Sequence, residues 1–212
     1  MDESTIDNAV RGRFNAYFFA ALESYMHWKY AGIKGDLLKD APPVIVELGP
    51  GAGANFRYFP KGTCLIGVEP NRHFHPILKR RAKQFGIELD LRVLKGESLD
   101  LGDETVDFVF SSLVLCSVNE PARVLAEVMR VLKPGGRFAC VEHVAAPDGS
   151  TLRKVQKSIS RPWKWVFEGC DLCRDTGATL KLAGFSQVAL QPMVLPTIFI
   201  PIRTQISAVC TK

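Results

Sequence analysis

The run Val44-Ile45-Val46-Glu47-Leu48 constrains the fold more than any other part of the chain. It is apolar and β-branched, follows Pro42-Pro43, and passes straight into Gly49-Pro50-Gly51-Ala52-Gly53-Ala54. A short run that is apolar on both faces reads as a parallel strand covered on both sides, and parallel neighbours need crossover connections rather than hairpins. The following sequence supplies such connections. Cys64 to Val68 reads as a second strand ending in Glu69-Pro70-Asn71, with Asn71 placed to cap a helix that runs to about Phe85 and stops at Gly86. Leu89 to Leu94 and Val106 to Phe110 read as the third and fourth strands. Asn119-Glu120-Pro121 opens a helix whose Val124, Leu125, Val128, Val131 and Leu132 share one face, and Lys133-Pro134-Gly135-Gly136 ends it. Phe138 to Val144 is the fifth strand. The alternation predicts a doubly wound α/β fold, a mostly parallel sheet whose ligand sits at the carboxyl ends of the strands.

After Val144 the pattern changes. A basic, aromatic stretch spans Arg153 to Phe167, a helix is expected from about Asp175 to Ala183, and Phe185 to Leu190 and Gln205 to Cys210 can form an antiparallel edge pair around an apolar loop, Met193 to Ile202. At 212 residues with 47% hydrophobic content the chain is expected to be one domain with a sizeable core. Its parts are a helical lid (1–40), a cofactor-binding core (41–145), and substrate-side helices with the final strand pair (146–212).

Composition narrows the function classes. The charge sum, 27 Lys and Arg against 22 Asp and Glu, gives a scattered +5, too mild to argue for nucleic acid. No apolar stretch approaches the ~18 residues of a membrane span, and the acidic opening Met1-Asp2-Glu3-Ser4 is unlike a signal peptide, so the chain reads as cytoplasmic. Three of the six cysteines sit in apolar runs, where reduced core thiols are expected. Cys170-Asp171-Leu172-Cys173 has the spacing of half a zinc site, but no second pair follows, and no metal is expected.

The glycine loop admits two readings. Gly49-x-Gly51-x-x-Ala54 fits a dinucleotide fingerprint, whereas Glu47-x-Gly49-x-Gly51-x-Gly53 fits the loop that holds S-adenosylmethionine (SAM). Glu69, twenty residues after Gly49, can take two ribose hydroxyls in either scheme. A carboxylate at a buried strand end is costly unless it meets a cation or several donors. A pyrophosphate would repel Glu47 and an ammonium would favour it, directly or through water, which tilts the balance towards SAM. The glycine turn's own N–H groups could serve Glu47 with either cofactor.

Together, Glu47-Leu48-Gly49-Pro50-Gly51-Ala52-Gly53, Glu69 and Leu132-Lys133-Pro134-Gly135-Gly136 resemble the motifs of class I SAM-dependent methyltransferases. Gly53-Ala54-Asn55-Phe56, Leu113-Val114-Leu115-Cys116-Ser117-Val118, Glu142-His143-Val144-Ala145-Ala146, and Pro162-Trp163 with Phe167-x-Gly169-Cys170-x-Leu172 resemble the methyltransferase-like thiol S-methyltransferases over most of the chain. The resemblance implies a seven-stranded sheet with an antiparallel last strand. It also implies SAM as donor and S-adenosylhomocysteine as product. Gly49, Pro50, Gly51 and Gly53 would lie along the methionine part, Glu69 and Pro70 at the ribose, Gly96 and Glu97 at the adenine, and Ser112 and Leu113 near the sulfonium. Lys95 stands where many relatives carry an aspartate. Relatives usually begin with an apolar membrane anchor, and the opening here is acidic, so the chain is expected to be a relative lacking the anchor or a shortened form.

Methyl transfer from a sulfonium is an in-line displacement in which positioning in a dry site supplies most of the rate. A thiol acceptor reacts as its thiolate. His143, at the end of the fifth strand, is the candidate catalytic residue, as a base near neutrality or as a shaper of the pocket; Glu142 and Asp171 come second. Phe14, Tyr17, Phe18, Ala21, Leu22 and Tyr25 form one helical stripe. With Trp163, Trp165, Phe167 and the 193–202 loop, it can cover an apolar small molecule, pack on the sheet, or lie on a membrane. Lys154, Lys157 and Arg161 would flank such a contact or be plain solvated charge. Arsenic methylation, which needs clustered thiolates, is disfavoured because Cys140 lies in a strand. The activity expected is methylation of a small apolar acceptor, first a thiol. An O- or C-methyltransferase of quinone or natural-product type, a non-catalytic binding module, and an NAD-dependent oxidoreductase are the alternatives.

Overall fold

The computed structural model describes residues 8–212; the acidic opening lies outside them. Seven strands form one sheet in the order β3-β2-β1-β4-β5-β7-β6. They are β1 (Val44–Leu48), β2 (Cys64–Val68), β3 (Glu88–Arg92), β4 (Val106–Ser112), β5 (Leu132–His143), β6 (Gln187–Val194) and β7 (Thr204–Thr211). The first five pair in parallel, and β7 runs antiparallel between β5 and β6. The chain starts at β1 in the middle, builds outward to β3, then returns to place β4 on the other side of β1. The β1–β4 seam is therefore the point where the order reverses and a crevice opens above the carboxyl ends.

Side chains alternate across this sheet and bury a core on each face. On β4, Phe108 and Phe110 point to the face covered by α2 (Glu23–Leu38) and α3 (His75–Phe85), joining Leu38, Leu78 and Ala82; Val109 points to the opposite face. That face is covered by α4 (Pro121–Val131) and α6 (Thr176–Leu182). Val124, Leu125, Val128 and Val131 of α4 are all fully buried, at about 1.5–3 kcal/mol of transfer free energy each. Gly86 ends α3 at φ 69°, the left-handed conformation that glycine takes without strain.

Several expectations need correction. Asn71 does not cap α3, which starts only at His75; its Oδ1 instead accepts from His73 N–H at 3.0 Å within the turn before the helix. The basic, aromatic stretch is a helix, α5 (Thr151–Val166), capped by Ser150, whose hydroxyl accepts from Arg153 N–H at 3.1 Å. Pro162 sits in its penultimate turn, where it removes one hydrogen bond without ending the helix. The N-terminal stripe is not one helix: α1 (Ala9–Ala21) stops at Leu22 and α2 follows at once. Tyr17 is exposed while Ala16, Asn15 and Gly12 are buried, so α1 faces inward by its small residues.

Candidate active site

A cavity of about 500 Å³ lies over the carboxyl ends of β1, β4 and β5, closed from above by α1, α2 and the segment after α5. It has two chemically distinct ends.

At the first end, the loop after β1 folds back on itself. Gly49 adopts φ 58°, and a Cβ there would lie 2.6 Å from Val114 Cγ2, so glycine is demanded twice. Gly51 has φ 55°, and a Cβ there would only touch Gly49 O and the Phe74 ring at about 3.9 Å, so it is the left-handed backbone rather than crowding that asks for glycine. Glu69, 5% exposed, reaches back from the end of β2. One carboxylate oxygen accepts from Gly51 N–H and the other from Asn71 N–H, each at 2.9 Å. Burial, only partly offset by those two N–H groups, pushes its pKa up to about 7. Pro50, Pro70, Lys95, Gly96 and Glu97 line the same end, and Glu97 accepts from Asn119 N–H at 3.0 Å.

Glu47 lies behind this wall rather than on it. Asn55 Nδ2 donates to its Oε1 at 2.5 Å, and the buried Lys34 ammonium donates to Asn55 Oδ1 at 2.7 Å. The cation near Glu47 thus comes from α2, and the glycine N–H groups do not serve it. Burial pushes Glu47 up to about 7 and Lys34 down to about 8. The buried ammonium acts on Glu47, whereas Glu69 faces the like charges of Glu47 and Glu168, and Glu47 Oε2 has no partner among the described residues. The ionised set carries negative charge in excess and a spare acceptor. SAM's methionine ammonium and ribose hydroxyls suit this donor and acceptor set. A pyrophosphate, adding negative charge, does not. Asn55 and Glu69 would hold the methionine and ribose ends, with Glu47 behind Asn55 and Gly49 and Gly51 on the wall; Gly53 is off it, since a Cβ there would meet Phe56 at 3.0 Å and Leu78 at 3.2 Å.

At the second end, the loop after β4 starts at Leu113, a non-glycine residue at φ 60°, and passes Cys116. Glu142 of β5 gathers that loop: its carboxylate accepts from the N–H groups of Val114, Leu115 and Cys116 at 2.9, 3.0 and 3.2 Å. It is occupied as an anchor and takes no part in the cavity wall. Asp171 accepts from Cys173 N–H and is also off the wall. His143, the next residue of β5, does face the cavity at 2% exposure. Its Nε2 lies 3.0 Å from Cys170 Sγ, which also receives the Trp163 indole N–H at 3.2 Å and lies 4.0 Å from Cys116 Sγ. The Cys116 thiol and then the His143 ring hold the Cys170 thiol well below its ordinary range. Burial opposes charge on His143, but the Cys170 sulfur beside it leaves the ring more basic than usual.

The remaining wall is apolar. Phe18, Phe19, Leu22 and Met26 from α1 and α2 meet Trp163, Phe167, Phe199 and Ile202, whereas Trp165, at 64% exposure, points to solvent. Phe14 and Tyr17 are likewise turned outward. The lid is tied down by Asn15 Nδ2 to Val166 O at 2.9 Å and by Asn71 Nδ2 to Gly12 O at 3.1 Å. Lys34, Asn55, Cys116 and Cys170 were not among the site residues expected from sequence. The Asn two residues after Gly53 and the paired thiol-bearing loops were the signals available.

A protein-family model described as a methyltransferase domain matches residues 46–140. Thiol S-methyltransferase TMT1B of Rattus norvegicus is 37% identical over 171 residues, covering 79% of this chain and 70% of that protein. Thiol S-methyltransferase TMT1B of Homo sapiens is 36% identical over 194 residues, covering 90% and 80%. Among solved structures, a SAM-dependent methyltransferase of Thermotoga maritima superposes with TM-score 0.67 at 21% identity, covering 96% of this chain and 98% of that one, which is a likeness of fold.

Proposed function

Because the chain belongs to the thiol S-methyltransferase family of class I SAM-dependent methyltransferases, we propose that it methylates a small apolar thiol. The observation that carries this reading is one cavity with a cofactor-type end at Glu69 and Gly51 and an apolar, thiol-lined end at His143, Cys170 and Phe18. SAM, when bound, supplies an electrophilic methyl group on a sulfonium.

The residues of the chain do the positioning. Glu69 takes the ribose end, Gly49, Pro50, Gly51 and Gly53 shape the bed for the methionine part, with Glu47 behind it, and Pro70, Gly96 and Glu97 bound the adenine end. Ser112 and Leu113 form the floor between the two ends. Phe18, Phe19, Phe167 and Phe199 exclude water, which strengthens the electrostatics of the transfer and removes a competing nucleophile. His143 meets the acceptor sulfur together with Cys170. It is not a lone base, since its Nε2 is already turned to the Cys170 sulfur.

The proposed compartment is the cytoplasm, supported by six cysteines none of which is paired in a disulfide. Peripheral membrane contact through α1 is supported by the exposed Val10, Phe14 and Tyr17. No helix among the described residues is long and apolar enough to cross a membrane.

Calorimetric titration with S-adenosylhomocysteine, followed by a methyl-transfer screen against an alkyl thiol, a phenol and a quinol, tests the activity. Product binding with transfer to the thiol is expected. Transfer only to oxygen or carbon would move the acceptor class to the quinone or natural-product type. Absence of binding would refute the cofactor assignment.

A further inference from the structure

Cys116, His143 and Cys170 come from three separate segments: the loop after β4, the last residue of β5, and the turn after α5. Their ligand atoms nevertheless lie within 4.8 Å of one another, and all three residues are buried. Two edges of the triangle are 3.0 Å (His143 Nε2 to Cys170 Sγ) and 4.0 Å (Cys170 Sγ to Cys116 Sγ). A tetrahedral zinc ion with sulfur ligands at about 2.3 Å and a nitrogen ligand at about 2.0 Å needs edges of roughly 3.5–3.8 Å. The two edges given lie within about half an ångström of that requirement, and the third, His143 Nε2 to Cys116 Sγ, is no longer than 4.8 Å.

The convergence is built into the backbone. Gly169, at φ 99°, lies so close to the Cys116 loop that a Cβ would fall 2.5 Å from Ser117 O. Asp171 N–H then donates to Cys116 O at 2.8 Å, fastening one cysteine segment to the other. Glu142 holds the Cys116 loop from beneath through its three N–H groups. The Trp163 indole N–H on Cys170 Sγ is the kind of outer contact that steadies a metal thiolate. Two thiolates and a neutral imidazole in an apolar wall leave two negative charges, which a divalent cation cancels; soft sulfur with imidazole selects zinc among the common ones.

We propose that Cys116, His143 and Cys170 bind one zinc ion whose fourth position opens into the cavity and takes the sulfur of the acceptor thiol. Three protein ligands and one exchangeable position is the pattern of zinc sites that perform chemistry. On binding, the acceptor's S–H bond breaks, its sulfur pair bonds the cation, and the proton leaves to water. The metal thereby holds the acceptor as thiolate, because a coordinating thiol is deprotonated outright. The site departs from the Cys170-x-x-Cys173 spacing, since Cys173 is not part of the cluster. The role of the fourth ligand rests on the thiol reading above, whereas the three-residue site does not.

The test uses the full, reduced chain, stripped of metal with a chelator and titrated anaerobically with Co²⁺. One equivalent is expected to produce the visible bands of tetrahedral cobalt and a thiolate-to-metal charge-transfer band, all displaced by Zn²⁺. An alkyl thiol added without SAM is expected to shift these bands. Cys116→Ser and Cys170→Ser each lose the charge-transfer intensity, and Cys173→Ser keeps it. No bands with the unaltered chain overturns the site, and tetrahedral bands that an alkyl thiol leaves unmoved overturn the fourth-ligand role. Undiminished thiol methylation by the metal-free chain, with a blank cobalt titration, rejects the zinc while sparing the proposed activity. Cobalt bands in a chain that methylates only oxygen or carbon reject the activity and keep the metal.

Discussion

The Glu69 carboxylate uses one lone pair on each oxygen for the N–H groups of Gly51 and Asn71, leaving the others for ribose hydroxyls. Glu69→Gln loses charge-assisted bonds worth about 1.5–3 kcal/mol, so S-adenosylhomocysteine affinity by calorimetry is expected to fall at least about tenfold. Titration adds a second prediction. Glu47 and Glu69 sit near 7 in the folded chain against 4.5 for the free group, so the folded chain holds more protons than the unfolded one between those values. Their contribution to stability is therefore full below 4.5 and lost as pH rises towards 7. Cofactor binding runs the other way, because a cationic amine prefers the ionised pair. Affinity for S-adenosylhomocysteine is expected to rise from pH 6 to pH 8, and a flat profile would remove these carboxyls from the site. Both carboxylates were legible in the sequence, because a strand end and a glycine spacing fix their places. The Cys116, His143 and Cys170 cluster was not. Its members are 27 and 54 residues apart, and they meet only because the sheet sets β4 beside β5 and Gly169 permits close passage.

Among elements, β1 and β2 were readable to the residue, because apolar runs between glycine and proline punctuation have few other uses, and β3 and β4 to within two residues. β5 was not, since it begins at Leu132, six residues before Phe138, and takes in the Lys133-Pro134-Gly135-Gly136 run that was read as a helix end. Nor was the lid. The N-terminal aromatic spacing continues across Leu22, where the helix breaks, so one periodic stripe became two helices with different neighbours. Phe18 turns into the cavity, with its ring 5.8 Å from Phe167 and 6.1 Å from Phe199. Phe18→Ala removes a large apolar contact of about 1.5–3 kcal/mol. It is expected to raise KM for an apolar thiol at least about tenfold while S-adenosylhomocysteine affinity holds. Val10 and Tyr17, at 82% and 68% exposure, point away from the cavity. A double Val10→Ser, Tyr17→Ser change is expected to lower sedimentation with phospholipid vesicles and leave methyl transfer in solution unaltered. Equal sedimentation of the two proteins would reject α1 as the contact. For α5, Ser150 was an available start signal, but the stretch was read by its basic and aromatic composition and not as a helix.

At the scale of the whole molecule, the reversal of strand order beside β1 puts all of the chemistry at the carboxyl ends of the central strands, and the two cores beneath it are packed from the chain's own side chains. The cofactor end is different. Glu47, Glu69 and Lys34 are buried with unequal charge, and Glu47 Oε2 lacks a partner among the described residues, so the folded chain carries an electrostatic cost here. A ligand that completes the set binds only the folded state and adds about 2.7 kcal/mol of stability at a hundredfold excess over its Kd. In a chain of this size each kcal/mol moves Tm by about 2–4 °C. Saturating S-adenosylhomocysteine is therefore expected to raise Tm by about 5–10 °C in scanning calorimetry. Gly49→Ala should erase most of that rise, since its Cβ would meet Val114 at 2.6 Å and push the loop out of its bed. The dinucleotide NAD, which brings a pyrophosphate towards the same carboxylates, is expected to leave Tm in place. A rise with NAD and none with S-adenosylhomocysteine would reverse the assignment of the glycine loop, because the same strand ends would then be serving the other cofactor.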